Sequence, residues 1–128
     1  MKVTRYYRDG RPWDQEVADM PTWAAVEAAI RRMDNFCVPI VELNPTDEED
    51  SRSMFEVVGG AGRWALFNIM GRWQYTDPAG GNEEVRLQDS DQGYFCAAKH
   101  VLTDIEKVLR ITRMFYETGS YDGLDTVD

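Results

Sequence analysis

Val101-Leu102-Thr103-Asp104-Ile105-Glu106 runs on through Lys107-Val108-Leu109-Arg110-Ile111 to Met114-Phe115-Tyr116-Glu117-Thr118-Gly119. Thr103 and Glu106 have the spacing of a capping box, in which the hydroxyl takes an orphan amide and the carboxylate reaches back to the cap. Asp104 and Glu106 add negative charge where the helix dipole is positive. Ile105, Val108, Leu109, Ile111 and Phe115 then recur at helical spacing, with Lys107, Arg110 and Arg113 on the other side. Gly119 reads as the left-handed residue that ends the helix. The spacing predicts a helix over 103–118. So wide an apolar stripe needs a sheet to cover, and the middle of the chain is able to supply one.

Working back from that helix, Pro21-Thr22 opens a second one. Thr22 is its N-cap, Trp23, Val26, Ile30 and Met33 fall on one face, and Arg31 and Arg32 suit its last turn. It is expected to end near residues 34–35. A first strand is expected over 2–7, followed by an Asp9-Gly10-Arg11-Pro12 turn, and 13–20 is left unassigned. Residues 36–43 read as a strand that Pro39 confines to an edge or a bulge. Residues 54–58, 64–70 and 73–76 make an antiparallel meander, 85–87 reads as a brief further strand, and 94–98 as a last strand before the long helix. Gly59-Gly60-Ala61-Gly62 is expected as a turn, and Gly71-Arg72 as a two-residue hairpin loop. The tail 120–128 is expected to be only partly ordered. The fold class predicted is α+β: an antiparallel sheet of about five or six strands with two helices packed on one face, in a single domain over 1–128.

The formal charge is −9, which disfavours direct contact with nucleic acid or an anionic membrane and suits a basic partner. No apolar run approaches a membrane span, and Met1-Lys2-Val3-Thr4-Arg5 is not a signal sequence. A cytoplasmic location is expected. Cys37 and Cys96 have neither metal-ligand nor disulfide-framework spacing, so they read as buried free thiols. An aromatic share of 12% suggests that some rings lie at the surface, as they do in protein interfaces.

Motifs for chemistry are few. Gly60-Ala61-Gly62-Arg63-Trp64-Ala65 matches the dinucleotide fingerprint, but Trp64-Ala65-Leu66-Phe67 is strand-forming and opens no helix to hold a pyrophosphate. His100 and Cys96 form a dyad only on paper, with no third orienting group. Paired carboxylates are too common in so acidic a chain to single out any two. Asp47-Glu48-Glu49-Asp50 lacks the spacing and glycine of a calcium loop. No catalytic residue, metal site or cofactor is therefore predicted, and binding is favoured over catalysis.

The order of these parts resembles a bacterial immunity-protein family, the first-numbered one of the polymorphic-toxin systems. The resemblance rests on Gly59-Gly60-Ala61-Gly62, on Gly71-Arg72-Trp73-Gln74-Tyr75, and on the Val101 to Leu109 stretch that leads to Phe115-Tyr116-Glu117-Thr118-Gly119. It covers most of 20–124. The family often closes with a tryptophan after the final glycine, where this chain has Gly123-Leu124-Asp125-Thr126-Val127. The resemblance implies a protein that binds and occludes a cognate secreted toxin domain, often a nuclease or nucleic-acid deaminase, in the producing cell. Acids would then steer a basic toxin and aromatic rings would anchor it. The toxin-binding residues expected are Asp47, Glu48, Glu49, Asp50, Trp73, Tyr75, Asp77 and Tyr94. The alternative is a small ligand-binding domain or enzyme with a pocket between sheet and C-terminal helix.

Overall fold

A computed structural model describes residues 1–45 and 53–128. The acidic run Asp47, Glu48, Glu49 and Asp50 lies outside the described residues. The chain forms β1 (Lys2–Tyr6), β2 (Pro12–Val17), α1 (Trp23–Arg32), β3 (Ile40–Leu43), β4 (Phe55–Gly60), β5 (Arg63–Asn68), β6 (Glu84–Leu87), β7 (Tyr94–Ala97), β8 (Val101–Leu102) and α2 (Ile105–Thr118). Six strands make one antiparallel sheet in the order β2-β1-β3-β4-β5-β8, and β6 pairs with β7 in a separate small sheet. This is the α+β class expected, but β6 and β7 form a second small sheet where one sheet was expected.

Strand alternation divides the main sheet into two faces. Val3, Val41, Leu43, Phe55, Val57, Trp64 and Leu66 join the buried faces of α1 and α2 in the main core. On the opposite face, Val58 and Ala65 pack with Leu87 of β6, flanked by Phe67, Val85, Tyr94 and Cys96. Phe55 is the centre of the main core: its ring stacks on Phe115 at 4.8 Å and on Trp73 at 6.0 Å.

Thr22 caps α1 as expected, its Oγ1 accepting from the Ala25 amide at 3.2 Å. The cap of α2 is Asp104 rather than Thr103: Oδ1 of Asp104 accepts from the Glu106 amide at 3.0 Å. Glu106 turns away from the cap to take Arg31 of α1 at 3.1 Å, so the expected capping box does not form. Gly119 ends α2 at φ +66°.

Three loops depart from expectation. Gly59 and Gly60 are part of β4, and only Ala61 and Gly62, both at positive φ, form the turn into β5. The glycines of β4 serve close approach instead: a Cβ on Gly60 would lie 2.6 Å from backbone atoms of Met33 and Asn35, where Asp34 bridges to the strand. After β5 the loop takes four residues, not two, because Oδ1 of Asn68 accepts from the amides of both Met70 and Arg72. The tail is packed: Leu124 is buried, Trp73 Nε1 donates to Asp125, and Arg110 Nε donates to the Asp128 carbonyl.

Candidate functional site

The expected toxin-binding residues that the structure describes do not share a surface. Trp73 and Tyr75 run beside β5, held by the Asn68 amide donating to the Trp73 carbonyl and the Tyr75 amide to the Leu66 carbonyl, both at 2.9 Å. Both rings are half-buried against the main core. Trp73 stacks on Phe55 and meets Tyr121 at a tilt, and Lys107 Nζ lies 5.4 Å from the Tyr75 ring centre. Asp77 is exposed and shapes its own turn, its Oδ1 accepting from the Ala79 amide at 2.9 Å. Tyr94 lies on the opposite face, its ring nearly parallel to Phe67 at 4.7 Å, and burial pushes its hydroxyl up to about 12.

Two exposed rings meet elsewhere, at the β1–β2 hairpin: Tyr7, at the end of the strand expected over 2–7, and Trp13, in the stretch left unassigned by sequence. The Tyr7 amide donates to the Arg11 carbonyl and the Gly10 amide to the Tyr7 carbonyl, which closes the turn. That closure brings Tyr7 and Trp13 together at 5.3 Å with planes 22° apart. Arg5 Cζ sits 4.5 Å over the Trp13 ring and Arg11 Cζ 5.4 Å over Tyr7. The four side chains form a continuous stack, Arg5–Trp13–Tyr7–Arg11, with Trp13 53% and Tyr7 44% exposed. Carboxylates hold its cations in place. Arg5 makes a bidentate pair with Asp14 and a 2.9 Å contact with Glu16, and Arg11 Nε bonds Asp9 at 2.6 Å. These hydrogen bonds hold Asp14 below the usual carboxylate range, as the Arg11 amide and side chain do for Asp9. The sequence carried the turn but not the stack, which depends on a register that sets Tyr7 opposite Arg11 and leaves Trp13 as the extra residue between Pro12 and Asp14.

Beyond the far end of β2 lies a groove of about 410 Å³, lined by Met1, Met20, Pro21, Leu43, Phe115 and Tyr116 among others. Met20 is 92% exposed at its rim. The groove runs between the end of β3 and the C-terminal turns of α2.

A third feature is a carboxylate pair. Glu42 of β3 stands opposite Glu56 of β4. Glu56 is only 8% exposed, and burial, then the Glu42 charge and a hydrogen bond with Glu42, push its carboxyl up to about 7. Each acid is flanked by core residues, in Val41-Glu42-Leu43 and Phe55-Glu56-Val57. Alternation therefore sends both acids to the other face, a pattern readable in sequence once the two strands are paired.

The other chemical constellations have structural explanations. The Gly60 to Ala65 motif is a hairpin. His100 Nδ1 lies 3.0 Å from the Tyr75 carbonyl and 3.1 Å from Thr76 Oγ1, so that nitrogen is already engaged. Burial pushes the Cys96 thiol up, opposite to the direction that makes a nucleophile. Both cysteines are free, and half-buried rather than fully buried. Among the described residues no group of three or more His, Cys, Asp or Glu is placed to hold a metal ion, and no helix is long and apolar enough to cross a membrane. Comparison with protein-family models, curated proteins and solved structures finds no match to this chain.

Proposed function

We propose that this chain is an immunity protein that binds a cognate secreted toxin domain and occludes its active site, in the cytoplasm of the producing cell. The observation that carries this reading is the exposed Arg5–Trp13–Tyr7–Arg11 stack on a protein of charge −9. Trp, Tyr and Arg are enriched among the few residues that dominate the energetics of protein interfaces. Mutual stacking fixes these side chains before any partner arrives, which lowers the cost of docking. The net negative charge favours a basic partner and speeds its encounter. A toxin that holds a nucleic-acid substrate, such as a nuclease or deaminase, presents such a surface. The resemblance in the glycine turns and the α2 segment supplies the toxin-directed part of this reading.

The test is capture of the tagged protein with its partners from its own host across a salt series, followed by co-expression with the captured toxin domain. Neutralisation of that domain, with capture weakening as salt rises, is the expected result. A captured partner whose toxicity is unchanged by co-expression would overturn the reading.

One observation favours a second reading, a small ligand-binding domain or enzyme. The 410 Å³ groove lies between the sheet and the C-terminal helix, and its lining is largely apolar with Asn44 and Glu117 as polar groups. Saturable binding of a small molecule that Phe115 or Tyr116 substitutions abolish would favour it.

A further inference from the structure

β2 closes one end of the main sheet, and its outer edge is covered by no other described element. The hydrogen-bond phase of that edge follows from one pair. The Met1 amine donates to the Ala18 carbonyl and the Ala18 amide donates to the Met1 carbonyl, both at 2.9 Å. In an antiparallel ladder such doubly bonded pairs alternate with pairs that exchange no bonds. Lys2↔Val17 and Thr4↔Gln15 are the pairs of the second kind. The amides and carbonyls of Gln15 and Val17 therefore point away from β1, into the open edge. The ladder's irregularity falls where Arg5 and Tyr6 pair with Asp14 and Pro12, which leaves Trp13 as the extra residue on β2, so the regular ladder runs over 14–17. Edges are commonly closed by a bulge, an internal proline or an inward lysine; the bulge at Trp13 bounds the open segment, and 14–17 carries no proline and no lysine.

We propose that β2 receives an extended strand of a partner protein, added antiparallel along its outer edge, in which basic and apolar residues alternate. The alternation is dictated by what β2 presents. Asp14 and Glu16 project to one face of the edge, while Gln15 and Val17 lie at the intervening positions. Val17 is 66% exposed, and Trp13 belongs to the stack at the hairpin end. The guanidiniums that hold the acids come from behind: Arg5 from β1 and Arg32 from α1. An arriving strand meets the carboxylates at the directly opposite distance of about 5 Å, with Arg5 one strand further back. Both carboxylates are more than a third exposed and retain oxygen lone pairs for further donors. Lysine or arginine opposite them is complementary, and glutamate is repelled.

The same acids argue against a second copy of this chain. Two antiparallel self-pairings engage both Gln15 and Val17 within β2. One sets Asp14 opposite Glu16, and the other sets Glu16 opposite Glu16. Like charges directly opposite destabilise a ladder. The occupant is therefore a foreign strand. This rests on the protein-binding reading above and adds the mode and chemistry of recognition.

The probe is a capped seven-residue peptide, Val-Lys-Val-Lys-Val-Lys-Val, with the same peptide carrying glutamate for lysine as control. Hydrogen exchange followed by NMR on the whole chain reads the outcome. Saturation with the lysine peptide is expected to slow exchange of the Gln15 and Val17 amides at least ten-fold, and the glutamate peptide to bind at least ten-fold more weakly. Val17→Pro removes one outward donor without breaking a β1 bond, and is expected to weaken binding at least ten-fold. If that variant fails to fold, amide protection in the wild-type chain decides. Unchanged exchange at Gln15 and Val17 in the saturated complex would overturn the proposal, as would a dimer of the free protein that protects the same two amides. Peptide docking along β2 without toxin neutralisation would leave the edge standing and remove the immunity reading. Toxin neutralised with both amides unprotected in the complex would do the reverse.

Discussion

Glu42 and Glu56 face each other across the β3–β4 ladder, on the side of the sheet turned away from the helices. Like charges directly opposite destabilise a sheet, and burial of Glu56 removes water that would screen them. The pair is tolerable in the fold because Glu56 keeps its proton to about pH 7 and hydrogen-bonds Glu42. Tyr94 on β7 feels the same charge, since Glu56 contributes to raising its hydroxyl.

The raised carboxyl has a definite stability signature. Between the ordinary value of 4.5 and about 7 the folded chain binds more protons at Glu56 than the unfolded chain. Stability is therefore greatest from this group below pH 4.5 and is lost as pH rises through 7. Glu56→Gln removes the titration and keeps the size. Its stability relative to wild type should rise by on the order of 2 kcal/mol between pH 5 and pH 8. Urea unfolding at the two pH values measures this. A constant difference would show that Glu56 titrates normally.

Trp13 and Phe55 should separate binding from folding. Trp13→Ala removes a ring that is 53% exposed and stacked on Tyr7 and Arg5 at the hairpin, so it should change unfolding free energy by less than about 1 kcal/mol. The same change should weaken capture of the partner at least ten-fold, as loss of an interface anchor does. Phe55→Ala empties the centre of the main core and should cost about 3–5 kcal/mol. Calorimetric melting and the salt-series capture, run on both variants, give the two readouts.

How far the sequence reached depended on whether a feature was local. Helix α1 with its Thr22 cap, and α2 with Gly119 at its end, were legible because helix periodicity and caps are written within a few residues. The six-strand sheet was legible as a class because β-rich segments alternated with turn residues. Its edge was not, since Pro12–Val17 carries exposed polar and apolar residues in no half-buried alternation. The split of β7 from the main sheet depends on pairing with β6, a tertiary choice that neither segment states alone. The same limit governed the site residues. Trp73 and Tyr75 looked like surface rings beside a turn, yet the packed tail with Tyr121 and Leu124 covers that end of the sheet. The stack at Tyr7 and Trp13, and the pair Glu42 and Glu56, become visible only when two strands are laid side by side.

Gly60 and Gly62 lie two residues apart and should respond differently to alanine. Both have positive φ, +122° at Gly60 and +93° at Gly62, which strains an alanine by on the order of 1–2 kcal/mol whatever the space around it. Gly62 faces open space, so Gly62→Ala should cost little more than that. A Cβ on Gly60 would meet backbone atoms of Met33, Asp34 and Asn35 at 2.6–2.7 Å, and backbone cannot rotate away. Gly60→Ala should cost on the order of 3 kcal/mol and disrupt the Asp34 bridge. Equal losses at the two sites, measured by chemical denaturation, would contradict the close approach of the α1–β3 connection to β4.

The cap of α2 gives the sharpest contrast between a sequence rule and the geometry that replaces it. Thr103 and Glu106 satisfy the capping-box pattern, but the helix begins two residues later, at Ile105, with Asp104 as cap. Aspartate accepts from the Glu106 amide and also places a full negative charge at the positive end of the dipole. The freed Glu106 side chain instead ties α2 to α1 through Arg31, which also pairs with Glu27. Asp104→Ala should therefore lower stability by about 1 kcal/mol, and Thr103→Ala by less than half of that. Glu106→Gln should act at the level of an exposed ion pair, a few tenths of a kcal/mol that salt screens away. Thermal melts of the three variants at low and high salt order the effects. A larger loss for Thr103→Ala than for Asp104→Ala would restore the capping box and move the start of α2 back by one residue.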